Sequence, residues 1–234
     1  MGDLNEKCGV FGIYSKDREV ARIAFFGLFA LQHRGQEASG IAATDGVHLR
    51  SFRNKGLVSN VFTEEKIKKL AGFAAIGHNR YSTSKGNHVS HAQPVIIEPI
   101  IDTSYKGGGI RASDGLLALA HNGNLPSTTA LVSFLGKKNI PTTDDQSDSE
   151  LMALAISFYL HEGKTLPEAV RVCYPLFTGT FSLLVLTKDS FVAVRDQCGI
   201  RPLSLGKLNG GYVIASETCA FKTIGAEFLR DVLP

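Results

Sequence analysis

The chain has 234 residues, 44% of them hydrophobic and 20% charged, with 25 Lys and Arg against 22 Asp and Glu for a net charge of +3. This length suits one large domain or two small ones, and the composition is that of an ordinary globular protein. The charge is too small, and no basic run dense enough, to point to nucleic acid or an anionic membrane as the main partner.

Residues 1–7 are polar, carry Asp3 and Glu6, and lack the apolar run of a secretory signal. Met1-Gly2 opens like a myristoylation site, but Glu6 stands where that motif needs Ser or Thr. Residues 9–14 are a short apolar run, predicted as a strand. Residues 18–32 place Val20, Ile23, Ala24, Leu28 and Leu31 at helical spacing. Residues 40–44 and 47–53 are strand-like, with Asp45-Gly46 as a hairpin signal between them. Residues 64–70 form a predicted short helix with Lys66, Lys68 and Lys69 on its solvated face. Strands follow at 73–78 and 116–121. Between those two lies a Gly, Ser and Pro-rich stretch, broken by the apolar residues 95–101. Gly107-Gly108-Gly109 within it has no Lys-Ser or Lys-Thr after it, so it is a flexible loop and not a phosphate cradle.

Residues 127–135 are a predicted helix. Ser147-Asp148-Ser149-Glu150 is a capping box that opens a helix through residue 160, and Thr165-Leu166-Pro167-Glu168 opens another toward Tyr174. Strands are predicted at 180–187, 191–195, 203–207 and 212–216, with Asn209-Gly210 turning the last pair. The most apolar helical stretches, 23–31 and 151–160, fall short of the roughly 20 residues of a membrane span and read as buried helix. Strands thus cluster early and late with helices between, which predicts antiparallel sheets covered by helices and not a doubly wound parallel sheet. The four cysteines form no CxxC pair. That argues against zinc and against a disulfide framework, and fits a reduced cytoplasm.

Cys8 follows the polar leader and precedes Gly9-Val10-Phe11-Gly12. A Cys before a strand is commonly a small buried hydrophobe. A reactive reading is also open, because Gly9 permits close backbone approach and the leader ends immediately before the thiol. A thiol of ordinary pKa, about 8.5, needs a base near neutrality. An α-amine titrates near about 7.7–8.0, so a Cys at the amino terminus carries a base on its own Cα. While Lys7 is attached that nitrogen is an amide, so residues 1–7 read as a leader that must be removed, through Cys8 attack on the Lys7 carbonyl.

Other stretches have two readings each. His78-Asn79-Arg80-Tyr81-Ser82-Thr83 is either a polar loop or a site in which Arg80 grips a substrate carboxylate and Thr83 adds a hydroxyl. His121-Asn122-Gly123-Asn124 is either a common Asn-Gly turn or an oxyanion hole built from the Asn122 amide and the Gly123 N–H. Asp148 suits the first turn of a capped helix, the better reading from spacing alone; the alternative is a partner for a substrate ammonium. Gly35 suits a helix C-cap and Arg34 the negative end of that helix, from which Arg34 could also orient the surroundings of Cys8. The remaining cysteines lack flanking charge and read as core or neutral surface. No His, Cys and carboxylate spacing resembles a metal site.

Five motifs in order, Cys8-Gly-Val-Phe-Gly-Ile, Leu31-Gln-His-Arg-Gly-Gln-Glu-Ala-Ser-Gly-Ile, His78-Asn-Arg-Tyr-Ser-Thr, His121-Asn-Gly-Asn-Leu and Ser147-Asp-Ser-Glu, resemble those of the class II glutamine amidotransferases, which are N-terminal nucleophile hydrolases. Gln32–Glu37, Tyr81-Ser82-Thr83, residues 195–203 and Ala215-Ser-Glu-Thr-Cys219 are similar to the branch whose acceptor is phosphoribosyl pyrophosphate, with Gln197 where that branch usually has Pro. The resemblance implies an α+β fold over residues 8–234, a four-layer αββα sandwich with two antiparallel sheets. It implies Cys8 as nucleophile, Asn122 and Gly123 as oxyanion donors, Arg80, Thr83 and Asp148 as glutamine ligands, and Arg34 and Tyr81 in support. It implies no cofactor or metal in this domain. A following phosphoribosyltransferase domain, absent from this chain, would use the ammonia to make phosphoribosylamine, the first step of de novo purine synthesis. Magnesium and, in some members, an iron–sulfur cluster belong to that part, and the full-length protein is expected to be a homo-oligomer. Two alternatives stay open: the glutaminase domain of a sugar-phosphate synthase, and a non-catalytic glutamine-sensing domain.

Overall fold

The computed structural model describes residues 8–81, 92–98, 111–113 and 116–234. In chain order the strands are β1 (Gly9–Ser15), β2 (Ala38–Thr44), β3 (Leu49–Lys55), β4 (Ala74–Arg80), β5 (Val95–Ile97), β6 (Arg111–Ser113), β7 (Leu117–Asn124), β8 (Thr180–Leu186), β9 (Phe191–Arg195), β10 (Ser204–Leu208), β11 (Gly211–Ala215) and β12 (Glu227–Asp231). The helices are α1 (Val20–Ala30), α2 (Val58–Val61), α3 (Glu64–Lys69), α4 (Thr129–Lys137), α5 (Asp148–His161), α6 (Leu166–Cys173) and α7 (Cys219–Ile224).

Eight strands form one sheet in the order β12-β10-β11-β1-β4-β2-β3-β6, and four form a second in the order β5-β7-β8-β9. Every pairing is antiparallel. The alternation of side chains along a strand sorts the core into three slabs. On β1, Phe11 and Ile13 pack under α1 and α7, while Val10 faces the other sheet. On β7, Leu117 and Leu119 pack against α5, while Ala118 and Ala120 face inward. On β8, Phe181, Leu183 and Val185 take the helix side and Leu184 and Leu186 the inter-sheet side. The result is helix, sheet, sheet, helix. Because the central strands are buried on both faces, they read in sequence as continuous apolar runs. The small inter-sheet residues Ala42, Ala118 and Ala120 let the sheets approach closely.

Both predicted capping boxes form. Ser147 Oγ accepts from the Glu150 N–H at 3.2 Å while the Glu150 carboxylate accepts from the Ser147 N–H at 2.7 Å. At α6 the Glu168 carboxylate likewise accepts from the Thr165 N–H, at 2.9 Å. Three expectations need correction. β7 runs on to Asn124 and does not stop at His121, and β4 reaches Arg80, because both keep a partner strand past the point where the apolar pattern ends. α1 is not buried all round: Phe26 and Phe29 are exposed on its outer face, because it covers the sheet with one stripe only. Gly35 caps a 3-10 turn and not α1 itself, and it does so in an extended conformation. α1 ends at Ala30, and the 3-10 turn spans Gln32–Arg34.

Candidate active site

The site starts from the position of Cys8 in the ladder. β1 pairs with β4 so that Gly9 faces Asn79 and Val10 faces His78, which brings Cys8, one residue earlier, to the Arg80 end of β4. The Tyr81 main chain clasps the thiol: its N–H donates to Cys8 Sγ at 3.5 Å, and the S–H donates to the Tyr81 carbonyl at 3.6 Å. Arg34 Nε donates to the Cys8 carbonyl at 3.2 Å. Burial pushes the Cys8 thiol up; the Tyr81 N–H and the Arg80 and Arg34 charges pull it down without cancelling that rise. Near neutrality the group is therefore a thiol, and it needs a proton acceptor to become a nucleophile.

The turn before β2 supplies Arg34 and supports Arg80. Gln32 pins it from both ends of its amide, donating to the Gly35 carbonyl at 2.5 Å and accepting from the Val58 N–H at 2.7 Å. Gly35 is required here by close approach: a Cβ would stand 2.5 Å from the Arg80 carbonyl carbon and 2.7 Å from its oxygen. Arg80 Nε lies 3.5 Å from Glu37, and the Glu37 N–H donates to the Arg80 carbonyl at 3.1 Å.

The second sheet brings the Asn-Gly motif. It is not a turn: Asn122 pairs with Ser182 and Gly123 with Phe181 inside β7. Asn122 is buried, and neither its Nδ2 nor its Oδ1 has a hydrogen-bond partner among the described residues. Gly123 must lack a side chain, since a Cβ would lie 2.3 Å from the Thr180 carbonyl and 2.6 Å from His121 Nε2. Gln93 accepts from the His121 N–H at 2.7 Å and donates to Ser149 Oγ at 3.0 Å. His121 Nδ1 lies 2.9 Å from that hydroxyl and 3.6 Å from Asp148 Oδ1. Asp148 Oδ2 accepts from the Leu125 N–H at 3.0 Å. Burial raises the Asp148 carboxyl, but His121 and the Leu125 and Ser149 N–H groups outweigh it and leave it at about 2.

His78 joins the two halves. His78 Nε2 lies 3.1 Å from the His121 carbonyl, two residues before Arg80 on β4 and one before Asn122 on β7. Burial drives His78 down to about 3, so it is a neutral imidazole donating to that carbonyl. A separate cleft lined by Tyr14, Phe73, Leu186 and Phe191 lies at the opposite end of β1.

A glutamine amidotransferase domain profile matches residues 100–223. The chain belongs to the glutamine amidotransferase domain family. Its likeness to known proteins reaches beyond the profile: it is 41% identical over 230 residues to an amidophosphoribosyltransferase from Synechocystis and 38% identical over 231 to one from Bacillus subtilis. Those matches cover 97% and 99% of this chain but only 44% and 45% of the relatives, so the chain spans a little under half of their length. A solved glutamine phosphoribosylpyrophosphate amidotransferase of B. subtilis, complexed with ADP and GMP, superposes with a TM-score of 0.81 at 37% identity. It covers 97% of this chain and 46% of that one. A structure described as the allosteric regulatory enzyme of purine biosynthesis gives 0.82 at 38% identity, over 97% of this chain and 45% of that one. The two packed antiparallel sheets between helix layers are thus the αββα sandwich of N-terminal nucleophile hydrolases.

Within this glutamine amidotransferase domain, Cys8, Arg34, Arg80 and Tyr81 meet at one sheet end, while Asn122 and Gly123 lie on β7 of the other sheet and Asp148, at the start of α5, is tied to His121 on that strand and to Leu125 just after it. Tyr81 contributes through its main chain. Thr83, residues 1–7, which were read as a leader, and Gly107-Gly108-Gly109 lie outside the described residues. Sequence reasoning gave no role of their own to Gln93, His121 and Ser149, which join β7 to the start of α5, or to Glu37 and Glu217, which engage the two arginines. Cys219 is not on neutral surface: its Sγ lies 3.7 Å from Glu217, with His33 on the same carboxylate. Those three are the one group of potential metal ligands within 4.8 Å of one another among the described residues, and they already contact each other. No helix among the described residues is long and apolar enough to cross a membrane.

Proposed function

We propose that this chain hydrolyses glutamine to glutamate and ammonia on Cys8, as the ammonia-producing half of an amidophosphoribosyltransferase. The observation that carries the reading is a partly buried thiol flanked by two guanidiniums, Arg34 and Arg80, and tied through His78 and His121 to the strand bearing a buried Asn122 amide with no partner among the described residues.

Arg80 takes the substrate carboxylate in a charge-assisted clamp, with Thr83 as a second donor, and Asp148, ionised throughout the neutral range, takes the ammonium. The side-chain amide is then presented to Cys8. The freed α-amine of Cys8 accepts the thiol proton as Sγ bonds to the amide carbon, and the electron pair moves to oxygen. The Asn122 amide and Gly123 N–H hold that oxyanion, a role in which one donor is commonly worth about 2.7–4 kcal/mol. The amine returns the proton to the leaving nitrogen, the C–N bond breaks and ammonia departs. Water then attacks the thioester, and glutamate and the thiol are restored. Arg34 and the Tyr81 main chain hold the nucleophile through these steps.

The amine exists only once residues 1–7 are gone, so the mature chain starts at Cys8 and residues 8–234 form the glutaminase domain. The relatives' extra length supports a following phosphoribosyltransferase domain, which would pass the ammonia to phosphoribosyl pyrophosphate and assemble as a homo-oligomer. The test combines intact mass with glutamate release. Active protein should begin at Cys8, and Cys8→Ala should lose more than about a thousandfold in kcat. Activity in protein retaining residues 1–7, or in Cys8→Ala, would sink the reading. Addition of phosphoribosyl pyrophosphate should accelerate hydrolysis by the full-length protein.

A further inference from the structure

Ser216-Glu217 lies in the Ala215–Cys219 stretch, to which the proposed chemistry gives no task. The segment continues β11 along β1. The Ser216 N–H donates to the Val10 carbonyl at 3.0 Å, and Ser216 Oγ accepts from the Val10 N–H at 2.9 Å. This double bond fixes the next residue beside the start of β1. The Glu217 carboxylate divides its oxygens: Oε1 accepts from Arg34 Nη1, and Oε2 lies 2.9 Å from His33 Nε2. Arg34 is 13% exposed, and its Nε reaches the Cys8 carbonyl.

We propose that Glu217 is a positioning residue for the nucleophile, holding Arg34 so that Arg34 holds the Cys8 carbonyl; this rests on Cys8 being the glutaminase nucleophile. A guanidinium on a long flexible stem needs attachment at two points to fix its plane. Here the points are the Glu217 carboxylate and the Cys8 carbonyl. The thiol's own contacts, at 3.5 and 3.6 Å, are weak sulfur bonds to the main chain of one residue, Tyr81. Removal of the leader takes away the covalent hold on the Cys8 nitrogen. Apart from the peptide bond to Gly9, the Arg34 bond to the carbonyl, at 3.2 Å, is then shorter than either thiol contact, and Glu217 sets its geometry from 183 residues away in the chain from Arg34.

The test uses the full-length processed protein with Glu217→Ala and Glu217→Gln. Two quantities are read: steady-state glutamate release, and the rate at which iodoacetamide labels Cys8 on the amino-terminal peptide. Exposed Cys198 serves as the reference thiol and buried Cys173 as the marker of unfolding. Misplacement of a reacting group by about 1 Å can cost about a hundredfold, so Glu217→Ala should lower kcat by about ten- to a hundredfold. KM should stay within about twofold, since Arg80 and Asp148 are untouched, and Cys8 labelling should change several-fold while Cys198 labelling does not. Glu217→Gln keeps an acceptor oxygen for Arg34 and should retain more of kcat. If Glu217→Ala exposes Cys173, Glu217→Gln alone decides. Parent-level kcat and Cys8 labelling in the variants, or a raised KM at parent kcat, would overturn the proposal. A parent protein that releases no glutamate would refute the glutaminase reading, and the labelling rates would still decide the role of Glu217.

Discussion

Asp148 shows how one carboxylate can serve two structures. It sits at the first position of α5, where the capping box and the helix dipole favour a negative charge. One oxygen is taken by the Leu125 N–H and the other by the Ser149 N–H and His121, so the group stays ionised well below neutrality. An ionised acid held from behind is suited to receive an ammonium from in front. Asp148→Asn keeps an acceptor oxygen for Leu125 but loses the charge. Loss of one member of a buried charge pair costs about 2–5 kcal/mol, so KM for glutamine should rise by a factor of about thirty or more with a smaller change in kcat. Initial-rate kinetics check this; an unchanged KM would move the ammonium site elsewhere. The dual use also explains why spacing alone favoured a structural role for Asp148: both roles call for the same residue at the same place.

At the scale of elements, the site is assembled by strand ends and by the turn that packs on them. The Gln32–Arg34 turn, Gly35 and the end of β4 form one tightly packed unit. Gly35→Ala would drive a methyl into the Arg80 peptide, and backbone cannot give way as a side-chain tip can. Overpacking of this kind costs about 1–3 kcal/mol, which urea unfolding should register as a lower midpoint at unchanged slope. Glutaminase activity should fall too, because the displaced peptide carries Arg80 and adjoins the Tyr81 clasp. A fully stable, fully active Gly35→Ala would show that β4 can shift without consequence. In sequence Gly35 suggested a helix cap because it follows an amphipathic run. The 3-10 turn that separates the two leaves no local signal, and the demand for glycine comes from a strand 45 positions later. The same holds for Gln93, Ser149 and Glu217, whose contacts span 28 to 183 residues. By contrast Cys8, Arg80 and Asn122 stand out because each joins an apolar strand to a polar end. α7 and β12 went unread because one is six residues long and the other is exposed along its whole length.

At the scale of the whole molecule, His78 is a buried titratable group on the face of β4 that meets the second sheet. His78 is neutral in the fold down to about pH 3, whereas in the unfolded chain it takes a proton near its ordinary 6.5. The unfolded state therefore binds more protons between those values, and stability falls as pH drops through that window, by up to about 1.4 kcal/mol per pH unit for one proton. Asp148, lowered to about 2 from 3.8, adds a loss in the same direction, confined to the range between those two values. Urea unfolding at stepped pH should show stability declining already between pH 6.5 and 4.5, before most carboxylates titrate. A flat profile there would contradict a neutral, buried His78. Antiparallel sheets covered by helices were legible from strands that cluster early and late with helices between, whereas the four-layer sandwich followed from the resemblance alone; strands such as β1, β2 and β8, buried on both faces, lack the alternation that would have marked one face as inner.

Chain ends are ordinarily where a domain frays, and a catalytic group placed on one would wander. β1 reverses that expectation. It lies inside the eight-stranded sheet, bonded to β4 on one side and β11 on the other, and the ladder begins at the residue after Cys8. A terminus created there would inherit the stiffness of the sheet's interior. The reacting sulfur and its base would share one Cα, moored by a strand that cannot peel away without opening the sheet. Such a site tolerates no slack: a single residue left ahead of Cys8 would block the amine, and one trimmed too many would remove the nucleophile.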